Sequence, residues 1–292
     1  MTTLSGKPEI TALSNKKGLA LAFVGFSSFA VSDVCVKWLT TLYTVPEILF
    51  FNHGFSALVF LCVLPFMGGV KALTQSRKKH LHALRIILNI ITGLIVARAF
   101  SLLPLADVYT FLFTFPLFSA LLAIPLYKQP LRRKSLGAIV LGFIGILVAL
   151  QPGQQGFDTA SLLPLFCSVI ITLLFLVSRS MPDESAVSLG FWPVFGTSVT
   201  MGFFLPHGFF LPAPFELLLL ATSGVCIASG MLCVSLAFRL APAASVSPLQ
   251  YTEMIWAILF GFVMFGDTPS LMMLTGAGLI ILSGLWLVWQ EK

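Results

Sequence analysis

Apolar runs of about twenty residues alternate along the chain with short breaks, and about twenty residues is the length of a helix that crosses a bilayer. Runs over 18–39, 46–67, 82–103, 107–127, 132–150, 159–179, 187–206, 215–239, 243–265 and 269–289 predict an all-α integral membrane protein with ten transmembrane helices. The breaks are Pro46, Gly68 with Gly69, Pro104, Gln129 with Pro130, Gln151 to Gly153, Met181 to Asp183, Pro206 to Gly208, Pro242, and Gly266 to Pro269. The first run follows a polar segment ending in Lys16 and Lys17, is longer than a signal-peptide core and lacks a small-x-small site, so a retained first helix is expected.

Charge fixes an orientation on this pattern. With ten spans, the N-terminus and alternate connections share one side, and that side collects Lys16, Lys17, Lys71, Arg77, Lys78, Lys79, Lys128, Arg132, Arg133, Lys134 and Arg179. The opposite connections contain no Lys or Arg. Positive residues mark the cytoplasmic side, so both termini are expected there. The net charge of +6 is spread over helix ends rather than along one face, which points to membrane orientation and away from nucleic acid.

Composition narrows the function classes. Of 292 residues 58% are hydrophobic and 10% charged, with a mean hydropathy of +0.99, so the length is used up by spans and function lies within the membrane. The cysteines Cys35, Cys62, Cys167, Cys226 and Cys233 all fall inside predicted spans without metal-ligand spacing, which reads as buried thiols. Neither a metal nor a cofactor is predicted.

The chain also repeats itself. Ala99 to Val108 aligns with Ala237 to Val246, matching Ala, Phe, Leu, Pro, Ala and Val at a constant offset, 237 − 99 = 138. One residue of slippage later, Gly137 and Ala138 meet Gly276 and Ala277, and Gly145 meets Gly284. Two halves follow, 18–150 and 159–289, and because each holds an odd number of spans the second must be inverted. The loop charges agree independently: Lys128 to Lys134 is strongly basic, whereas its counterpart Gly266 to Ser270 holds Asp267 and no base. Inverted repeats are a recurring plan of secondary transporters, with the substrate near the midplane where the halves meet.

The chain resembles the EamA-type members of the drug/metabolite transporter superfamily over nearly its whole length. The resemblance rests on Ser32 to Trp38 in the first helix, Leu103 to Asp107 before the fourth, and Pro248 to Glu253 with Phe265, Gly266 and Asp267 in and after the ninth. Two departures stand out. Tyr127, Lys128, Gln129 and the pair Gly266, Asp267 replace the family's usual Gly-Glu, and Asn52 stands where an Arg is common. The resemblance implies a bacterial inner-membrane carrier of amino acids, nucleoside-like metabolites, vitamins or adenosylmethionine.

Polar groups at membrane depth are costly unless paired or hydrated, which makes each a functional hypothesis. Asp33 and Lys37 lie four apart on one face of the first span and are suited to an intrahelical pair or to binding. Glu253 sits midway along the ninth span beside Gln250 and Tyr251, with Phe115 at the aligned place in the first half. An unpaired carboxylate there calls for a cation, a proton or a substrate amine, or else is a protonated core residue. Arg98 would neutralise a substrate carboxylate or snorkel outward. Asn52 and His53 are in the outer part of the second span, and no second His nearby suggests a metal. Thr110, Thr114 and Pro116 on the fourth span, and Pro248 on the ninth, offer hydroxyls and freed carbonyls for a cavity or for helix packing. Tyr109, Trp192 and Trp256 are the aromatic candidates for stacking. One polar cavity between midplane and outer face would hold most of these groups and, with both signs of charge, suit a zwitterion.

A secondary carrier working by alternating access is therefore expected, moving a small polar or zwitterionic metabolite. No P-loop pattern argues for ATP drive. Glu253 and Asp33 offer carboxylates for proton coupling, and uncoupled exchange is equally compatible with them. The alternatives are a lipid-linked sugar flippase and, further off, an integral membrane enzyme, for which no HExxH or catalytic cluster is present.

Overall fold

The computed structural model describes residues 12–76, 78–127, 133–151, 158–205 and 211–290, and every regular element among them is helical. Arg77, Lys128, Gln129, Pro130, Arg132, Pro152, Gly153, Pro206, His207 and Gly208, used above for loops and charge, lie outside the described residues. The helices are α1 (Ala12–Leu39), α2 (Val45–Val63), the short α3 (Lys71–Thr74), α4 (Lys79–Leu102), α5 (Leu105–Leu112), α6 (Phe115–Tyr127), α7 (Arg133–Leu150), α8 (Leu162–Arg179), α9 (Ala186–Gly202), α10 (Pro214–Leu240), α11 (Ala243–Val246), α12 (Thr252–Phe260) and α13 (Leu271–Gln290). Among the described residues seven helical stretches are long and apolar enough to cross a membrane, and Leu136–Leu150 and Leu271–Trp286 are shorter apolar helices. The chain is a multi-pass membrane protein.

The sequence breaks act as helix boundaries for identifiable reasons. The α2 start is a capping box, in which the Thr44 N–H and hydroxyl both donate to Glu47 Oε2 at 2.8 and 2.7 Å, and Pro46 occupies the first turn where no N–H is needed. Pro104 and Pro242 push the residue before them out of the helical region. Leu103 (φ −124°, ψ 153°) and Ala241 (φ −137°, ψ 155°) are accordingly extended, each donating its N–H to the carbonyl four residues back, Ala99 and Ala237, at 2.9 Å. These positions are 241 − 103 = 138 apart, the offset of the sequence repeat.

The fourth and ninth predicted spans are not continuous helices with a kink. The fourth breaks at Phe113 and Thr114 between α5 and α6, and the ninth runs from α11 through a 3₁₀ turn Ser247–Tyr251 into α12 and a π-helical turn Gly261–Phe265. Prolines supply the cause: Pro116 and Pro248 lack an N–H, so the ladder of bonds fails one turn before them. At each break a threonine hydroxyl donates to the carbonyl three residues back, beside that threonine's own N–H. Thr114 Oγ1 donates to Phe111 O at 2.6 Å and Thr252 Oγ1 to Leu249 O at 2.7 Å, again at 252 − 114 = 138.

Packing follows the same pairing. α1 lies against α10 and α12 as α8 lies against α4 and α6; α2 meets α10 as α9 meets α4; and α2 with α9 and α7 with α13 meet their own counterparts, while α5 packs on α12. Small residues let backbones approach in two of these crossings. A Cβ on Gly145 would sit 2.9 Å from Gly276 O, and one on Gly230 3.0 Å from Gly25 O. The main core joins Val34, Ile48, Phe100, Val108, Met254 and Ile280, drawn from both ends of the sequence. Outward-facing apolar side chains such as Val24, Ile87, Leu147, Phe166 and Ile255 are exposed, as a lipid-facing surface requires.

Candidate functional site

Asp33 on α1 lies half-buried and accepts a 2.5 Å hydrogen bond from the hydroxyl of the buried Tyr109 on α5. Tyr109 stands in a row of rings, 6.4 Å from Phe100 and 5.7 Å from Phe113, and Phe113 meets Tyr251 edge to face at 5.2 Å. Glu253 lies in the first turn of α12, two residues after Tyr251, and α12 packs against both α1 and α5. Among the described residues its carboxylate has neither hydrogen bond nor ion pair. Three segments, α1, α5 and α12, thus bring two carboxylates and an aromatic row to one place, next to the broken helices.

Lys37 does not pair with Asp33. Its Nζ donates to Asp267 Oδ2 at 2.8 Å and to Leu103 O at 3.0 Å, and sits 4.8 Å from the Phe265 ring centroid. The four-residue spacing permits the intrahelical pair, but a long lysine near a helix end extends toward the interface, and there Gly266, in the left-handed conformation at φ 69°, turns the chain so that Asp267 can meet it. Asp107 shares this cluster electrostatically, and its Oδ1 is buried without a partner. The lysine therefore ties α1 to the α4–α5 and α12–α13 connections.

One residue from Asp33, Ser32 begins a buried polar chain into α10 and α2. Ser32 Oγ and Ser223 Oγ are 2.9 Å apart, Asn52 Nδ2 donates to Ser223 Oγ at 3.4 Å, and His53 Nδ1 lies 2.7 Å from Asn52 Oδ1, which as a carbonyl oxygen can only accept and so places the proton on Nδ1. The chain fits because residue 224 is glycine: a Cβ there would collide with Asn52 O.

The remaining candidates separate. Among the described residues Thr110 bonds only its own helix at Ala106 O, 2.8 Å, and Thr114 joins Ser168 on α8 at 2.8 Å, so both serve helix ends and packing. Gln250 is half-buried in the 3₁₀ turn beside Tyr251, and Trp256 is anchored through Nε1 to Ser27 Oγ at 2.9 Å and stacked on Phe260. Arg98 is exposed one turn from the end of α4, where a long side chain can extend to the interface, and among the described residues its guanidinium meets Ser101 Oγ at 3.5 Å and none of the carboxylates. Trp192 lies elsewhere, donating to Leu73 O at 3.2 Å beside Phe191 and Phe195. Ser32, Ser223, Ser27 and Phe113 complete the region. A hydroxyl or ring on an apolar helix looks the same in sequence whether it packs or lines a site.

Trp192 belongs to the end of the bundle that carries Lys71 and Lys78. There His82 Nε2 faces Glu184 Oε2 at 3.3 Å, Arg85 Nε donates to Ser178 Oγ at 3.0 Å, and Lys78 Nζ to Ser180 O at 2.6 Å. A cavity of about 460 Å³ opens at this end, lined by Lys71, Gln75, Lys78, Asp183 and Glu184 among others. Burial alone would raise the Glu184 carboxyl, but hydrogen bonds from Ser76, His82 and Ser188 hold it below the usual glutamate range.

A helical membrane bundle with carboxylates and rings gathered at membrane depth, around interrupted helices, defines a small-molecule transporter. Residues 16–151 match the EamA-like transporter family. The S-adenosylmethionine uptake transporter of Rickettsia bellii is 25% identical over 279 residues, covering 94% of each chain. The riboflavin transporter of Rhizobium johnstonii is 26% identical, covering 99% of this chain and 95% of that one. A solved crystal structure shares the fold, with a TM-score of 0.65 at 16% identity over 93% of this chain and 96% of the other. The chain is thus similar to the EamA-like transporter family over 16–151, and to these two transporters over nearly its whole length.

Proposed function

We propose that the chain carries a small polar metabolite, amino-acid-like, nucleoside-like or vitamin, across the bacterial inner membrane by alternating access between two inverted five-span halves, 18–150 and 159–289. The observation that carries this reading is Glu253, an unpaired carboxylate beside the Asp33–Tyr109 pair where the interrupted α5–α6 and α11–α12 segments meet. The inverted halves are supported by the threonine caps and extended residues at the 138-residue offset and by the matched helix contacts. The side on which the basic residues gather favours a cytoplasmic location for both termini.

In this arrangement the Lys37 tie closes the end of the bundle opposite Lys71 and Lys78, and releasing it would open a path to the site from that side. The relatives' names favour a carrier over the enzyme and flippase readings, and they supply the first probes. Asp33 and Glu253 would take up protons if transport is coupled to them.

The test is counterflow in proteoliposomes with a metabolite panel that includes S-adenosylmethionine and riboflavin. Saturable exchange that disappears in Glu253→Gln, with the variant protein still in the bilayer, is the expected result. Undiminished exchange in that variant would remove Glu253 from the site.

A further inference from the structure

The polar cavity of about 460 Å³ stands apart from the proposed transport site, at a defined level of the bundle. Its lining residues fall within 71–78 and 181–185. The apolar stretches beside them stop at Phe66 and Arg179 and resume at Lys79. The cavity therefore lies just beyond the hydrocarbon part of the bundle, at the level of the lipid headgroups.

Its two walls are already bridged. Ser185 Oγ donates to Ala72 O at 3.0 Å, Lys78 Nζ to Ser180 O at 2.6 Å, and Trp192 Nε1 to Leu73 O at 3.2 Å. An ammonium has three donors, and Lys78 uses one of them on Ser180. Lys71 is exposed, and among the described residues its side chain has neither an ion pair nor a hydrogen bond. Glu184 does not supply the missing charge, since it already faces His82 Nε2 at 3.3 Å and accepts from Ser188 Oγ at 3.2 Å. That leaves Asp183 against two lysines, with Lys79 and Arg179 adding positive charge at the ends of the adjoining spans. The balance favours an anion.

The neighbouring chain indicates which anion. Val70, directly before Lys71, is 67% exposed, and Phe66, where the preceding span ends, is 88% exposed. A water-soluble anion gains nothing from these apolar side chains, whereas acyl chains cover them. Clustered Lys and Arg at the end of membrane spans attract anionic lipid headgroups.

We propose that this cavity binds the headgroup of an anionic phospholipid. Lys71 and Lys78 hold its phosphate, and its acyl chains lie along Phe66 and Val70. Asp183 repels a bare phosphate and accepts hydrogen bonds from hydroxyls, so the headgroup it selects is a phosphoglycerol, as in phosphatidylglycerol. Because the walls come from the α2–α4 and α8–α9 connections, the bound lipid steadies the contact between them.

Native mass spectrometry of the purified protein, doped with equal amounts of phosphatidylglycerol, phosphatidylethanolamine and phosphatidylcholine, provides the test. Phosphatidylglycerol should be retained about fivefold or more over the other two, and Lys71→Gln should reduce its retention about fivefold, the scale of one basic residue near a membrane surface. The pair Lys16→Gln with Lys17→Gln, exposed on α1, should retain it as wild type does. Equal retention of the three lipids, a preference for phosphatidylethanolamine, or an equal loss in the Lys16 and Lys17 variant overturns the inference.

Melting temperature in detergent gives a second readout that separates a lipid from a soluble anion. Phosphatidylglycerol should raise it in wild type and not in Lys71→Gln. If glycerol phosphate, which lacks acyl chains, raises it equally, the lipid assignment falls. Neither readout requires turnover, so failure here leaves the carrier reading standing.

Discussion

Lys37 Nζ and Asp267 Oδ2 lie 2.8 Å apart although 230 residues separate them in sequence. Both side chains are largely shielded, 12% and 22% exposed, so the pair is worth more than a surface ion pair and less than a fully buried one. Lys37→Ala is expected to lower stability by about 1–3 kcal/mol, because Asp267 and the nearby Asp107 are left without their cation. Thermal unfolding in detergent of Lys37→Ala, Asp267→Ala and the double variant measures the coupling. Strictly additive losses would show that the two side chains do not stabilise each other.

Tyr109 fixes Asp33, and removing one oxygen tests it. Tyr109→Phe keeps the ring contacts with Phe100 and Phe113 and loses the donor to Asp33. A hydrogen bond to a charged group contributes about 1.5–3 kcal/mol, so transport efficiency should fall roughly tenfold or more, with protein abundance unchanged. Concentration-dependent counterflow provides the check, and wild-type parameters would separate Asp33 orientation from transport.

The α7–α13 crossing depends on the absence of side chains. A Cβ at Gly276 would sit 2.7 Å from Gly145 O and 2.6 Å from Ala149 Cβ, and backbone cannot yield as a flexible side chain does. Gly276→Val should cost about 2 kcal/mol or more by overpacking. Gly278→Val on the same helix has open space around it and should be tolerated. Melting temperatures of the two variants in detergent decide the point.

Glu184 gives a pH dependence whose sign can be worked out. Its folded carboxyl lies below the ordinary glutamate range, so the stability it contributes is present above that range and is lost as the pH falls through the folded value. Wild type should therefore lose more stability than Glu184→Gln as the pH falls from neutral into the acid range, by a modest margin because the group lies near water. Unfolding of both proteins followed across that interval tests it. Parallel curves would show that His82, Ser76 and Ser188 do not favour the charged form.

The threonine caps make a paired prediction. Thr114→Val and Thr252→Val each remove a hydroxyl donor from a carbonyl that keeps a backbone N–H, Phe111 O and Leu249 O respectively. Each should destabilise by about 1 kcal/mol. The loss should be larger for Thr114, whose hydroxyl also meets Ser168. Melting temperatures in detergent, with Thr275→Val as an exposed comparison, give the ranking.

The hydropathy and charge patterns by themselves determined that this chain is a multi-pass helical membrane protein, and where most helices begin and end, because a bilayer imposes length and polarity locally, residue by residue. Pro104 and Pro242 act on the residue beside them, so their effect was readable at a distance of one. The family resemblance and the candidacy of Asp33 and Glu253 were also legible, since ionisable groups in apolar runs are rare whatever surrounds them. Partner choice was not. Asp33 with Tyr109, Lys37 with Asp267 and Ser32 with Ser223 join residues 76, 230 and 191 apart, and a spacing of four on one helix gave Lys37 a local alternative that the fold does not use. Nor could sequence separate Arg98, at the surface, from Glu253, inside the bundle. The direction a side chain faces depends on which helices pack around it, and that packing decided which charges lie together.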